Sequence, residues 1–133
     1  MVNFSHTIFY VKDIVKIIDF YEKAFGLKSK FLHEEKLYAE LDTGKTSLAF
    51  ADDTLGKENF PEGYIPNDLT QSPSACEIVF TVNDVQHAYE NAIAAGAIAL
   101  SPPKQKPWGQ TVAYVRDPNG ILIEIASPMV TDQ

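Results

Sequence analysis

Apolar residues along this chain change period several times. Thr7-Ile8-Phe9-Tyr10-Val11 is β-branched and aromatic, as a pleated strand favours. Behind Asp13, an N-cap candidate, Ile14, Ile17, Ile18, Tyr21 and Phe25 recur at helical spacing, and Gly26 ends the run as a left-handed cap. Strands are expected at Ser29–Glu34, Leu37–Asp42 and Thr46–Ala51, with turns at Glu35-Lys36 and Thr43-Gly44, which makes a βαβββ unit. From Asp52 to Ala75, the residues Gly56, Pro61, Gly63, Pro66, Asn67 and Pro73 deny any regular element much length, so this stretch reads as a connector or lid.

The pattern then begins again. Glu77–Val82 is a strand, Asp84 a second N-cap, and Val85, Ala88, Tyr89 and Ala92 a second helical stripe ending near Gly96. Ala97–Gly109, with Pro102, Pro103 and Pro107, is expected to be looser. A strand at Thr111–Arg116 leads into a tight turn at Asp117-Pro118-Asn119-Gly120 and a last strand at Ile121–Ala126. A shift of 71 lays Phe9 on Phe80, Val11 on Val82 and Asp13 on Asp84, and sets His6 on Glu77. A shift of 75 lays Asp42 on Asp117 and Phe50 on Ile125, and sets Ala49 on Glu124. The expected architecture is therefore α+β: one domain over 1–133, built of two βαβββ modules (about 1–51 and 76–128) joined by the connector 52–75. Each helix would cover the outer face of a curved mixed sheet, the two sheets forming a cup.

Strand parity turns this repeat into candidate chemistry. Phe9, Val11, Phe80, Val82, Ile121, Ile123 and Ile125 can face the helices only if His6, Tyr10, Glu77 and Glu124 face the concave side. Glu124 stands alone in an apolar run, where an unpaired charge costs several kcal/mol, so it needs a partner. Ser47, Ala49 and Ala51 share the concave side and are small. His6, Glu77 and Glu124 offer one imidazole and two carboxylates, a set suited to Zn, Ni, Mn, Co or Fe(II) with positions left open for substrate. Each also has a plainer reading: His6 as a strand histidine bonded to a neighbour, Glu77 as an exposed strand start, Glu124 as the acceptor of a bond from Tyr10 or Tyr114. Trp108 and Tyr114 fit either a pocket mouth or the core.

Composition narrows the class. A chain of 133 residues with 45% hydrophobic and 22% charged positions can bury a core. A net charge of −7 argues against a nucleic-acid or anionic-membrane partner. Cys76, the single cysteine, cannot form an internal disulfide. The sequence shows neither a run of ~20 apolar residues nor a basic-then-apolar start, so a cytoplasmic location is expected.

His6-Thr7 before Val11-Lys12-Asp13, Asp19-Phe20-Tyr21 with Gly26, Val82-Asn83-Asp84-Val85, Ala95-Gly96-Ala97, and Trp108-Gly109 leading to Asp117-Pro118-Asn119-Gly120 and Ile123-Glu124 together resemble the vicinal oxygen chelate superfamily. Its members include glyoxalase I, bleomycin-resistance proteins, fosfomycin-resistance enzymes, methylmalonyl-CoA epimerase and extradiol dioxygenases. The resemblance covers nearly the whole chain outside Asp52–Ala75. It implies paired βαβββ modules around a divalent metal, usually in a homodimer, with His6, Glu77 and Glu124 at ligand positions. Ala49 stands where glyoxalase I has a glutamate. The expected function is that of a metal-dependent lyase or isomerase of glyoxalase type, gripping a small oxygen-rich substrate by two adjacent oxygens. Glu124 or Glu77 would move a proton, and Tyr10, Ser47, Ala49, Trp108 and Tyr114 would line the pocket. The rivals are a metal-free drug-sequestering protein resembling bleomycin-resistance proteins and a thiol transferase like the fosfomycin-resistance enzymes.

Overall fold

A computed structural model describes residues 1–129; residues 130–133 of the expected domain lie outside that description. The chain forms two compact units, one of residues 1–22 and 26–66, the other of 23–25 and 67 onward.

In the first unit, β1 (His6–Val11) is followed by α1 (Ile14–Phe25), β2 (Ser29–Leu32), β3 (Tyr38–Leu41), β4 (Ser47–Asp52) and the short α2 (Asp53–Asn59). The sheet order is β1-β4-β3-β2, with β1 parallel to β4 and the other neighbours antiparallel. Helix α1 starts where the sequence marks it: the Asp13 carboxylate accepts a bond from Lys16 N, and Gly26 closes the helix at φ 69°, a left-handed conformation that glycine adopts without strain. One face of the sheet meets the helix. Tyr21 stacks on Phe50 at 5.2 Å between ring centroids, Phe50 on Phe9 at 6.2 Å, and Val11, Ile14, Ile17 and Leu41 are buried beside them. Each such side chain contributes roughly 1.5–3 kcal/mol by leaving water.

The second unit repeats the plan. Strand β5 (Glu77–Thr81), α3 (Val85–Ala95), β6 (Ile98–Gln105), β7 (Thr111–Arg116) and β8 (Leu122–Ala126) give the order β5-β8-β7-β6, again with a parallel pair, β5·β8. Asp84 caps α3 through His87 N, and Gly96 ends it. Ala113, Val115, Ile123 and Ile125 form a fully buried face, and α3 packs on β6, β7 and β8. Two mixed sheets with helices make the fold α+β, as the repeat predicts. Among the described residues, no helix is long and apolar enough to cross a membrane.

One segment differs from the sequence expectation. The proline-bearing stretch after Gly96 is not loose: β6 is the longest strand, and it runs through Pro102 and Pro103. It tolerates them because it lies at the sheet edge, where one side of the ladder is unpaired, and because its pairing with β7 is interrupted on both sides of Ser101. The connector, in turn, contains α2, whose N-cap Asp52 accepts from both Thr54 N and the Thr54 hydroxyl.

Candidate functional site

Strand register fixes which side chains share each open face. In the second sheet Val79 and Tyr114 lie directly opposite Glu124 on either side, and Glu77 pairs with Leu122, two residues earlier on β8. Residues paired in register point to the same face, so Glu77, Glu124 and Tyr114 all stand on the side away from Ile123 and Ile125. The Tyr114 hydroxyl donates to Glu124 Oε1 at 2.8 Å. That bond to a carboxylate, with desolvation and the Glu124 charge behind it, pushes the Tyr114 phenol up to about 12. Glu77 is exposed as a residue, yet its carboxyl is raised above the usual carboxylate range, first by desolvation and then by the charge of Glu124 and a hydrogen bond with it. The structure thus brings two of the three expected ligands together.

His6, the third, lies on the open face of the first sheet. Its Nδ1 is 2.8 Å from Ser5 Oγ, and its Nε2 is 3.2 Å from Oε2 of Glu40, a residue the sequence reading did not single out. The same Glu40 oxygen accepts from the Tyr38 hydroxyl at 2.8 Å. The Tyr38 bond, more than the His6 contacts, holds Glu40 below its usual carboxylate range, and Tyr38 in return is raised to about 12, first by burial. In Tyr38-Ala39-Glu40-Leu41 the carboxylate merely alternates with apolar positions, as on any half-exposed strand, so nothing in the sequence set it apart.

The expected pocket residues separate. Ser47 and Ala49 point to the same side of the first sheet as His6 but are buried, at 7% and 0% exposure. Tyr10 accepts from Asn59 Nδ2 at 3.0 Å and stacks on Tyr64 at 5.2 Å, so it is engaged with α2 and the segment after it. Trp108 is exposed in the β6–β7 turn and donates from Nε1 to Gln110 Oε1 at 2.9 Å. Of the five, Tyr114 hydrogen-bonds to an expected ligand, Glu124. Among the described residues no three His, Cys, Asp or Glu side chains form a ready metal-binding group.

Comparison with known proteins fits this geometry. The sequence model of the Glyoxalase family, described as "Glyoxalase/Bleomycin resistance protein/Dioxygenase superfamily", matches residues 3–125. The "Uncharacterized protein YraH" of Bacillus subtilis is 32% identical over 119 residues, covering 86% of this chain and 90% of that protein. A "Probable lactoylglutathione lyase" of Vibrio cholerae is 28% identical over 129 residues, covering 90% and 86%. Among solved structures, a glyoxalase-related enzyme from Fulvimarina pelagi superposes with a TM-score of 0.84 at 21% identity, covering 96% of this chain and 89% of that one, a likeness of fold.

Proposed function

Because the chain belongs to the glyoxalase/bleomycin resistance protein/dioxygenase superfamily, we propose that it is a divalent-metal-dependent enzyme of glyoxalase type, a lyase or isomerase working on a small oxygen-rich substrate. The observation that carries this reading is the Glu77–Glu124 pair: two carboxylates on one face of the β5·β8 ladder, the charge of Glu124 adding to the desolvation that raises the Glu77 carboxyl. A cation relieves such a pair, and an imidazole with carboxylates suits a borderline or hard divalent ion. His6, Glu77 and Glu124 are the residues to hold the metal, in an assembly we take to be a homodimer. When bound, the ion supplies Lewis-acid polarisation of two neighbouring substrate oxygens. The chain itself does the proton work. Glu124 or Glu77 is the carboxylate to take and return a proton, and Tyr114 donates a hydrogen bond to Glu124.

A second reading, a metal-free binding protein for a drug or other small molecule, has its own support. Ile8 and Val79 are about half exposed on the two open faces, at 46% and 50%, and among the described residues every buried side-chain nitrogen or oxygen already has a partner. Thermal unfolding with added Ni, Zn, Mn or Co separates the two. The enzyme reading expects the wild-type melting temperature to rise by mass action on the folded state, and Glu124→Gln to gain much less. No response in either protein sinks the metal reading in favour of the binding module, and an equal response in both removes Glu124 from the ligand set.

A further inference from the structure

We infer that Lys106 anchors an anion on the second sheet's open face, and that the substrate is a small monocarboxylic acid held there by its carboxylate; the substrate half of this rests on the metal-enzyme reading above. The Nζ of Lys106 lies over the Tyr114 ring, 5.8 Å from its centroid, where the ring quadrupole attracts a cation. The hydroxyl of the same phenol donates to Glu124, and the charges of Glu124 and Glu77 both act on it. Tyr114 therefore has a cation at its ring and two carboxylates about its hydroxyl. The face has two ends of opposite charge, and all four residues belong to the second unit.

Local structure fixes where the ammonium starts from. Lys106 stands at the base of the β6–β7 hairpin, its N–H donating to the Gln110 carbonyl at 2.7 Å and its own carbonyl accepting from Gly109 N at 2.8 Å. Pro107 suits the second position of such a turn, and Gly109 takes φ +93°, which is open to glycine. Gln110 is braced in its turn: its side-chain amide donates to the Ser127 carbonyl at 2.7 Å, and its Oε1 accepts from the Trp108 indole at 2.9 Å. Lys106 is half-buried, and among the described residues its ammonium forms no ion pair. The charge count then selects the ligand. One lysine is a single point of charge, matched by one carboxylate, whereas a phosphate dianion calls for several positive donors and would meet repulsion from Glu77 and Glu124. The oxygens that react would lie next to the carboxylate, at the end where Glu77 and Glu124 stand.

Pyruvate, hydroxyacetone and inorganic phosphate are the probes. Pyruvate carries a carboxylate beside its carbonyl, and hydroxyacetone keeps two vicinal oxygens without the charge. Each is titrated, with and without zinc, into wild type, Lys106→Gln, Lys106→Arg and Lys104→Gln, with affinity read from backbone amide shifts and each melting temperature recorded. Wild type is expected to prefer pyruvate, and Lys106→Gln to lose about tenfold or more of its pyruvate affinity, the size of one hydrogen bond to a charged group, with hydroxyacetone unchanged. Lys106→Arg should keep most of the preference. Lys104→Gln removes the same charge from an exposed site on the same strand and should shift affinity less than about twofold, as a screened charge does. A Lys106→Gln protein that melts lower yet keeps the pyruvate preference makes Lys106 a prop for Tyr114 and overturns the anchor. Phosphate bound more tightly than pyruvate, hydroxyacetone bound equally well, or no pyruvate binding by the wild type overturns the monocarboxylate. Zinc separates this inference from the reading beneath it. A Lys106-dependent preference that zinc leaves unchanged upholds the anchor and removes the metal, while pyruvate binding that zinc strengthens equally in wild type and Lys106→Gln, with no difference between them, upholds the metal and overturns the anchor.

Discussion

Tyr114 and Glu124 face each other directly across the β7–β8 ladder, and the phenol hydroxyl donates to Glu124 Oε1 at 2.8 Å. The bond answers the question that Glu124 poses in the sequence. A carboxylate inside an apolar strand is tolerable when a neighbouring strand brings a donor, and a hydrogen bond to a charged group is worth about 1.5–3 kcal/mol, roughly twice a neutral one. It leaves the second oxygen of the carboxylate to other partners, so a structural bond and a ligand role are compatible in one residue.

Tyr114→Phe removes that donor without changing the ring. Stability should fall by about 1–2 kcal/mol, because the half-buried carboxylate keeps its desolvation and loses its partner. Alkaline titration followed by tyrosinate absorbance should show less signal arriving near pH 12, where the Tyr114 phenol ionises. The sign follows from linkage. With the folded value raised above the unfolded 10, this group's stability is fully present below pH 10 and is lost as pH rises toward about 12, so the melting-temperature gap between variant and wild type should close over that window.

Glu77→Gln should act in the opposite sense. Desolvation and Glu124 raise the folded Glu77 carboxyl above its unfolded value, so any stability linked to its proton is complete below the ordinary range and is lost as pH rises through the folded value. At neutral pH without metal the ionised pair therefore costs stability. The glutamine variant should melt higher there, and the difference should shrink as pH falls below the ordinary carboxylate range. A variant less stable than wild type at neutral pH would show that Glu77 is not under charge pressure.

Ala49→Glu restores the glutamate of the glyoxalase I pattern, at a position with 0% exposure opposite Glu40. Two carboxylates facing each other across adjacent strands repel, and the longer side chain enters the space that His6 and Glu40 cross. Without metal the variant should lose about 2–3 kcal/mol, as burial of an unpaired charge does. Denaturant unfolding measures it. A loss below about 0.5 kcal/mol would mean that the crossing has room to spare.

Much of this arrangement was legible in the sequence because it rests on periodicity. The 71-residue shift between leading strands and the 75-residue shift between closing strands reappear as equivalent ladders: Ile8 pairs with Ala49 as Val79 pairs with Glu124. Asp13, Gly26, Asp84 and Gly96 cap the helices they flank in sequence. What was not legible depended on reach, not register. Glu40 aligns by position with Tyr114, since each is paired with the matching residue of its closing strand, 49 or 124, so a search for equivalent carboxylates passes over it. Only coordinates reveal that its side chain crosses β4 to His6. Pro102 and Pro103 misled for a related reason, because composition does not say which strand lies at an edge.

Arg116 carries the last prediction. It is buried at 6% exposure, and its guanidinium donates to three backbone carbonyls: Nε to Gly120 at 2.9 Å, Nη1 to Gln71 at 2.9 Å and Nη2 to Asp68 at 3.0 Å. One planar fork thereby ties the end of β7 to the Asp117-Pro118-Asn119-Gly120 turn and to the segment at 68–71. A lysine cannot reproduce this, being a single point of charge where three directed donors are needed. Gly120 belongs to the same knot. Its φ of +96° is open to glycine, and a Cβ there would lie 2.8 Å from Arg116 Nη2 and 3.3 Å from the Asp68 backbone. Arg116→Lys should cost about 2–4 kcal/mol, with two carbonyls left short of a donor, and Gly120→Ala about 1–3 kcal/mol from strain and displacement. Because both break one cluster, the double variant should fall short of the sum by 0.5 kcal/mol or more, on the scale of about 0.5–3 kcal/mol seen for contacting residues. Limited proteolysis under native conditions should cut first near 68–71 in either single variant. Strictly additive losses, with that segment as resistant as in the wild type, would show that Arg116 and Gly120 act independently.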